Sequence, residues 1–382
     1  MIISDKDPLY RQCSISLMDN IADPLITFDE NGISNYYAEY KIGEERDTLT
    51  GEKATKKIEE IVKQIKKDGI GKKYDCIIGV SGGIDSTYLC YKAKEYGLRV
   101  LCVHFDNGWN SQDAVNNIEN ILKKLGFELY TYVIDWPEFK DIQLAYFKAG
   151  VIDIEAITDI AIFNSLDMIC AEQKIGYILD GRNIWTETTL PRKWTNKDPN
   201  NLYAIHKKFG TIPLKKYPAT FKNGKFVKPA GSYTSIALLN YIDYNKSKVK
   251  EIIKKELDWS DYGGKHYESV FTRFYQGHIL PEKFHVDKRK AHLSNLIFSG
   301  QLTKEQAIEE IKKPIYPKGM LEIDKTFVLK KLGFSDLEFS EYLAKEAVPH
   351  EYYNPKPKVY IPNKIQKVRS VLGKIKRKII NG

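Results

Sequence analysis

Cysteine is scarce in this chain. Only five occur in 382 residues, at 13, 76, 90, 102 and 170, unevenly scattered and with no C-x-x-C pair. That spacing argues against a disulfide framework and against a thiol pair for sulfur transfer. Cys76, Cys102 and Cys170 lie in apolar runs, where a thiol acts as a small core hydrophobe in a reducing cytosol. No run of about 18 apolar residues occurs, which leaves no candidate for a membrane-spanning helix. The start, Met-Ile-Ile-Ser-Asp-Lys-Asp, lacks the basic-then-apolar layout of a signal peptide. Also missing are G-x-x-x-x-G-K-[ST] and G-x-G-x-x-G, so neither common nucleotide loop is present. No internal repeat or low-complexity block stands out. A cytoplasmic, globular chain remains, with 42% hydrophobic residues to build a core and length for two or three domains.

What is there begins with Gly79-Val-Ser-Gly-Gly-Ile-Asp-Ser-Thr87, placed between the apolar run Tyr74–Val80 and a helix expected over Ser86–Tyr96. Paired glycines allow backbone angles that a Cβ forbids and let a ligand approach the main chain. A helix N-terminus aims free N–H groups and a positive dipole end at that ligand, which suits pyrophosphate. Ser81, Gly82, Gly83 and Ser86 then form the cradle. Asp85 either reaches Mg²⁺, which wants carboxylate and phosphate oxygens, or caps the helix.

The stretch 74–181 alternates strand and helix. Strands are expected at Tyr74–Val80, Leu98–Phe105, Glu128–Ile134 and Gly176–Leu179, with helices near Gln112–Leu125 and Ile154–Gln173 as well as after the glycine loop. Such alternation implies an α/β fold with an open parallel sheet and helices on both faces. Its ligands sit beyond the strand C-termini. Residues 1–60 read as a small N-terminal module with a hairpin at Asn31-Gly32, and 61–235 as the α/β domain that carries the glycine loop. Residues 236–352 read as a mostly helical substrate-binding region, in which Thr303…Gln306 and Ser335…Glu338 fit capping boxes. Residues 353–382 form a linker and a basic amphipathic tail.

Two further segments end strands beside the glycine loop. In His104-Phe-Asp-Asn-Gly-Trp109 the main chain at Phe105 could read adenine and Asp106 could face ribose or a metal; a ligand-free Asp-Asn-Gly turn explains it equally. In Asp180-Gly-Arg-Asn-Ile-Trp-Thr-Glu187, Gly181 would approach the nucleotide, Asn183 the substrate, and Glu187 would be a second Mg²⁺ carboxylate. On a helix, Lys265, Ser269, Thr272, Arg273 and Gln276 would share one polar face, with His266 beside them and Lys288, Arg289 and His292 following. These groups either grip phosphates and a sugar acid or form a solvated face.

The net charge of +9 is partly local, since the tail from Asn363 carries Lys and Arg between Ile365, Val368, Val371, Leu372, Ile375 and Ile379. That pattern suits contact with an anionic membrane or a partner, or packing on the chain's own domain.

The loop Ser81-Gly-Gly-Ile-Asp-Ser86 resembles the PP-loop of ATP pyrophosphatases. With His104-Phe-Asp-Asn107, Pro191-Arg-Lys-Trp194, the run Asp198–Gly210, Lys265–Gln276 and Asp287–Ser294, the chain resembles the N-acetyl sugar amidotransferase family over roughly residues 10–345. The resemblance implies conversion of the acetamido group of a nucleotide-activated N-acetyl sugar to an acetamidino group, in lipopolysaccharide O-antigen or nonulosonic acid synthesis. ATP first activates the amide oxygen as an O-adenylyl imidate and pyrophosphate leaves; ammonia then displaces AMP. Asp85, Lys265 and Arg273 are the catalytic candidates, and ATP with Mg²⁺ the cofactors. The implied partners are a glutaminase and a cyclase-like subunit that conducts ammonia, with no nucleic acid. Relatives carry two cysteine pairs near the N-terminus, a zinc-site pattern, where this chain has Cys13, Ser16, Ser34 and Tyr37, so no zinc is expected. A PP-loop enzyme that modifies tRNA, thiolase-like, and a non-catalytic nucleotide-binding module are the alternatives.

Overall fold

A computed structural model describes residues 8–228 and 233–353; the basic tail lies outside the described residues. Its main sheet is built from β1 (Cys76–Gly79), β2 (Val100–Asp106), β3 (Glu128–Val133), β4 (Tyr177–Leu179) and, after a small antiparallel pair β5 (Thr220–Lys222) and β6 (Lys225–Val227), β7 (Thr234–Ile236). The order is β3-β2-β1-β4-β7 and every pairing in it is parallel, with Cys76 beside Val100, Ile77 beside Ile178 and Tyr177 beside Thr234. From β1 the chain moves to one side through β2 and β3, then returns to the other side as β4. The topological switch therefore lies at the C-terminal end of β1, where an open α/β sheet places its ligand.

Alternation along the strands explains why both faces are covered. Cys76, Ile78, Val100 and Cys102 pack with Tyr88, Leu89 and Ala93 of the helix Ile84–Glu95, while Ile77, Leu101 and Val103 pack with Leu166 and Ile169 of the helix Ala156–Glu172. A central parallel strand buried on both sides reads as a continuous apolar run.

Helices form where expected at Gln112–Leu125, and near expectation at Ile84–Glu95 and Ala156–Glu172. A further helix, Trp136–Ala149, precedes the last of these, started by Asp135 accepting the Glu138 N–H and by Pro137, and stopped by left-handed Gly150. Its carboxylates anchor the next loop. Glu138 accepts the backbone N–H groups of Lys215, Lys216 and Tyr217, and Asp141 those of Thr211 and Ile212.

The hairpin expected at Asn31-Gly32 is reduced to a turn. Gly32 adopts φ +74°, and a single bridge, Phe28 to Ser34, closes it before a helix begins at Asn35. Ser34 is the last extended residue before that helix, so the returning arm ends at the bridge. Cys13, Ser16 and Ser34 are buried together there, with the Ser34 N–H 3.3 Å from Cys13 Sγ, while Tyr37 turns to the Phe298 ring. Both capping boxes, Thr303…Gln306 and Ser335…Glu338, are present with reciprocal bonds. Helix Val270–Phe274 continues into a π-turn at Tyr275–Ile279 and then Leu280–Phe284. Pro281 has no N–H for the carbonyl four residues back and its ring crowds it, so the turn widens.

Candidate active site

The glycine loop has the geometry of an anion cradle. Gly82 adopts φ +76°, and a Cβ there would stand 2.6 Å from the Ala114 carbonyl oxygen, so angle and space both demand glycine. Its own carbonyl accepts Trp259 Nε1 at 2.8 Å and Asn117 Nδ2 at 3.3 Å, which ties it back from the loop's open side. Gly83 precedes the helix Ile84–Glu95 with no side-chain cap. Ser81 Oγ accepts the Gly83 N–H at 3.2 Å, and Ser86 Oγ donates to the Gly83 carbonyl at 3.3 Å. The N–H groups of Ile84, Asp85 and Ser86 belong to a first turn, which has no carbonyl partners within its own helix. A positive helix end thus faces the loop.

Asp85 does not cap this helix. Its Oδ1 receives the Tyr244 hydroxyl and, at 3.2 Å, Asn183 Nδ2. Asn183 is used at both ends, since its Oδ1 caps the short helix Ile184–Glu187 by accepting the Thr186 N–H at 3.0 Å. Gly181 lies so close that a Cβ on it would sit 3.4 Å from Asp85 Cβ and from the Ser86 nitrogen. The β4 loop therefore forms one wall of the cradle.

Lys265 links that wall to the C-terminal part of the chain: its Nζ is 2.8 Å from Glu187 Oε1. Burial alone would push the Lys265 amine down, but Glu187 and Asp85 outweigh it and its pKa is raised. Burial likewise favours a protonated Glu187, yet the Lys265 ammonium holds that carboxyl below its ordinary value. Burial dominates at Asp85 and raises it, with Lys265 opposing. Lys246 also faces the cluster, its amine pushed down to about 8 by burial and then by the charge of Lys265. Two basic and two acidic side chains thus adjoin the glycine cradle.

The β2 end is a closed turn. Asp106 Oδ1 accepts the Gly108 N–H at 2.8 Å and Asn110 Nδ2 at 3.1 Å, while the Phe105 ring stacks on Tyr132 at 5.8 Å. His104 Nδ1 lies 3.0 Å from the Val80 carbonyl and so ties this end to the glycine loop. Asn110 pairs with Ser269, flanked by bonds from Ser111 N–H to the Glu268 carbonyl and from Val270 N–H to the Trp109 carbonyl, both 2.8 Å. This short pairing brings the C-terminal segment onto the strand ends.

The expected polar helix face does not form. Gly263 and His266 adopt positive φ, residues 265–268 form turns, and the helix starts only at Val270, capped by Ser269. Lys265 is thereby separated from Arg273. Arg273 is buried and binds Asp324 through Nε at 2.6 Å and Nη2 at 2.9 Å. Arg289 is held by Asp287 and by the carbonyls of Lys313 and Ile311, and Gln276 is buried in the π-turn. Both guanidiniums are held by groups of the fold itself. Lys288 faces the half-buried Glu155. His292 is not the cation its basic surroundings suggest: burial, then Lys265 and His266, hold its pKa well below the ordinary value. His266 stands 5.7 Å from it, ring to ring.

Tyr244, Lys246, Tyr262 and Glu268 reach the site without a sequence signal of their own. The nearest signals were Asn245, which caps the helix Lys246–Leu257, and Gly263-Gly264 beside Tyr262. The blocks around Trp194 and Asp198 are tied into the fold, as Trp194 Nε1 donates to the Ala22 carbonyl at 2.8 Å and Asp198 caps the helix Pro199–Phe209.

Residues 75–166 match the family of queuosine biosynthesis protein QueC, and residues 268–368 match the family described as LPS biosynthesis protein WbpG-like, C-terminal domain. An uncharacterized protein of Methanocaldococcus jannaschii is 25% identical over 280 residues, covering 71% of this chain and 83% of that protein. A tRNA(Ile)-lysidine synthase of Chlamydia pneumoniae is 35% identical over 78 residues, 19% of this chain and 24% of its own. Among solved structures, an NH3-dependent NAD synthetase from Campylobacter jejuni in complex with nitrate matches 41% of this chain and 72% of its own at 13% identity and TM-score 0.29. NMN synthetase from Francisella tularensis matches 58% and 92% at 12% identity and TM-score 0.30. Superpositions this loose bear no weight for the site. The parallel sheet with its glycine cradle at the switch point, the QueC match that spans the cradle and the WbpG-like match that begins at Glu268 together make this chain a PP-loop superfamily member related to the WbpG-type proteins of lipopolysaccharide biosynthesis.

Proposed function

We propose that this chain is an ATP-dependent ligase that amidates a nucleotide-activated N-acetyl sugar, turning its acetamido group into an acetamidino group and releasing AMP and pyrophosphate. The PP-loop and WbpG-like regions support the coarser part, an ATP-dependent amidation-type role in surface polysaccharide synthesis. The single observation that carries the chemistry is the juxtaposition of the glycine cradle with Asp85, Glu187 and Lys265.

The residues fit the groups such a reaction needs. A Cβ on Gly83 would fill the space between Ser81 Oγ, 3.0 Å away, and Tyr262 Oη, 3.3 Å away, so glycine keeps the cradle open. Loop N–H groups would hold the leaving pyrophosphate, and Lys265 and Lys246 would offset the charge that grows there. Asp85 would hold Mg²⁺, because both of its hydrogen bonds fall on Oδ1; Glu187 is a weaker ligand, since Lys265 already stands where a cation would. Bound Mg²⁺ supplies electrophilic stabilisation of phosphate oxygens. Asn183 would fix Asp85 and the sugar side of the site. All five cysteines are buried and free, which gives a thiolase-like reaction no exposed thiol. Ammonia would come from a separate glutaminase through a conducting subunit.

Incubation with ATP, ammonium and a panel of nucleotide-activated N-acetyl sugars tests the reading. AMP, pyrophosphate and a product with oxygen exchanged for nitrogen are expected. ADP as the main nucleotide product, or RNA bound in a filter assay with a salt dependence typical of phosphate contacts, would overturn it.

A further inference from the structure

The backbone of Glu268 serves the fold, as its carbonyl accepts the Ser111 N–H. Gly263 at φ +91° and His266 at φ +65° double the chain back so that Glu268 Oε1 arrives 3.8 Å from the point a Gly83 Cβ would occupy. His266 Nδ1 stands 3.6 Å from that oxygen, and the Tyr262 side chain also approaches the carboxyl. The other oxygen, Oε2, is buried and receives no hydrogen bond. A buried carboxylate oxygen without a donor is costly, and native structures rarely leave one so without a role. A carboxylate at the rim of a phosphate cradle also repels the ligand that the cradle suits. A divalent cation between the two removes both difficulties.

We propose that Glu268 is a ligand of the divalent cation that enters the cradle with pyrophosphate, so that the WbpG-like region supplies part of the metal site of the PP-loop domain. This rests on reading the loop as a pyrophosphate cradle. Among the described residues no three His, Cys, Asp or Glu side chains converge to hold a metal unaided, so phosphate oxygens complete the sphere, as Mg²⁺ commonly requires. Lys265 feels the charge of Glu187, Asp85 and Glu268, and so offsets the same acidic groups.

Mn²⁺ titration of the full chain, followed by electron paramagnetic resonance, tests this with pyrophosphate present and absent. The parent should bind Mn²⁺ tightly only with pyrophosphate, and Glu268→Gln should weaken that binding by about tenfold or more. Unchanged Mn²⁺ affinity in a folded Glu268→Gln protein overturns the assignment. Should that variant not fold, Fe²⁺-driven oxidative cleavage of the parent with pyrophosphate gives the same answer: cuts are expected at both the glycine loop and the segment around Glu268, and cuts at the loop alone overturn it. A parent that binds neither pyrophosphate nor Mn²⁺ overturns the cradle reading itself, which separates the two failures.

Discussion

Replacing Arg273 with methionine would strand the Asp324 carboxylate, which is 3% exposed and keeps only the Tyr316 hydroxyl at 3.1 Å once the guanidinium bonds at 2.6 and 2.9 Å are gone. Removing one partner of a buried ion pair commonly costs about 3–5 kcal/mol, a large share of the roughly 5–15 kcal/mol that holds a domain together. The retained tyrosine bond places this case near the lower end, at about 3 kcal/mol. Because the cost lies in the abandoned charge, Arg273→Met with Asp324→Leu should recover most of it: a pair replaced by apolar groups of similar volume is often neutral. Urea midpoints of parent, single and double variants, read at unchanged slope, measure the effect. Turnover per folded molecule should fall far less in Arg273→Met than in Asp85→Asn. A single variant with parental stability and collapsed turnover would refute the reasoning and return Arg273 to the substrate.

Asp85→Asn should leave the thermal midpoint nearly unchanged, since Gly83 and not Asp85 precedes the helix, yet remove most ATP-dependent turnover; parental turnover at saturating Mg²⁺ would deny Asp85 the metal. Lys246 is held near 8 by burial and Lys265, so above that pH it is largely a neutral amine. A phosphate anion favours the ammonium, so pyrophosphate binding between about pH 8 and 9 should take up a proton and weaken as pH rises, an uptake lost in Lys246→Met; calorimetry in buffers of different ionisation enthalpy measures it. The isolated chain should work with ammonium at alkaline pH and stay nearly inactive with glutamine until a glutaminase is added, because its five cysteines are buried; glutamine-dependent turnover by the pure chain would contradict this.

Local chemistry made much of this protein legible from its residues. The run Cys-Ile-Ile before Ser81-Gly-Gly, and the alternation that follows, dictate a buried strand, a glycine turn and a helix start, because those outcomes depend on neighbours a few positions apart. The capping boxes and the helix at Gln112–Leu125 were readable for the same reason. β7 was not: Thr-Ser-Ile is too short to carry a period, and it becomes a strand only because the edge of β4 offers it bonds. Charges were the least legible. Lys265 and Arg273 are both basic residues in one polar block, but a left-handed turn at His266 sends the first to Glu187, while a helix starting at Val270 sends the second to Asp324. Tyr244 meets Asp85 across 159 positions of sequence. A side chain's type sets which partners it can accept; only the tertiary packing decides which partner stands within hydrogen-bond reach, and therefore which cation faces a ligand and which holds the fold.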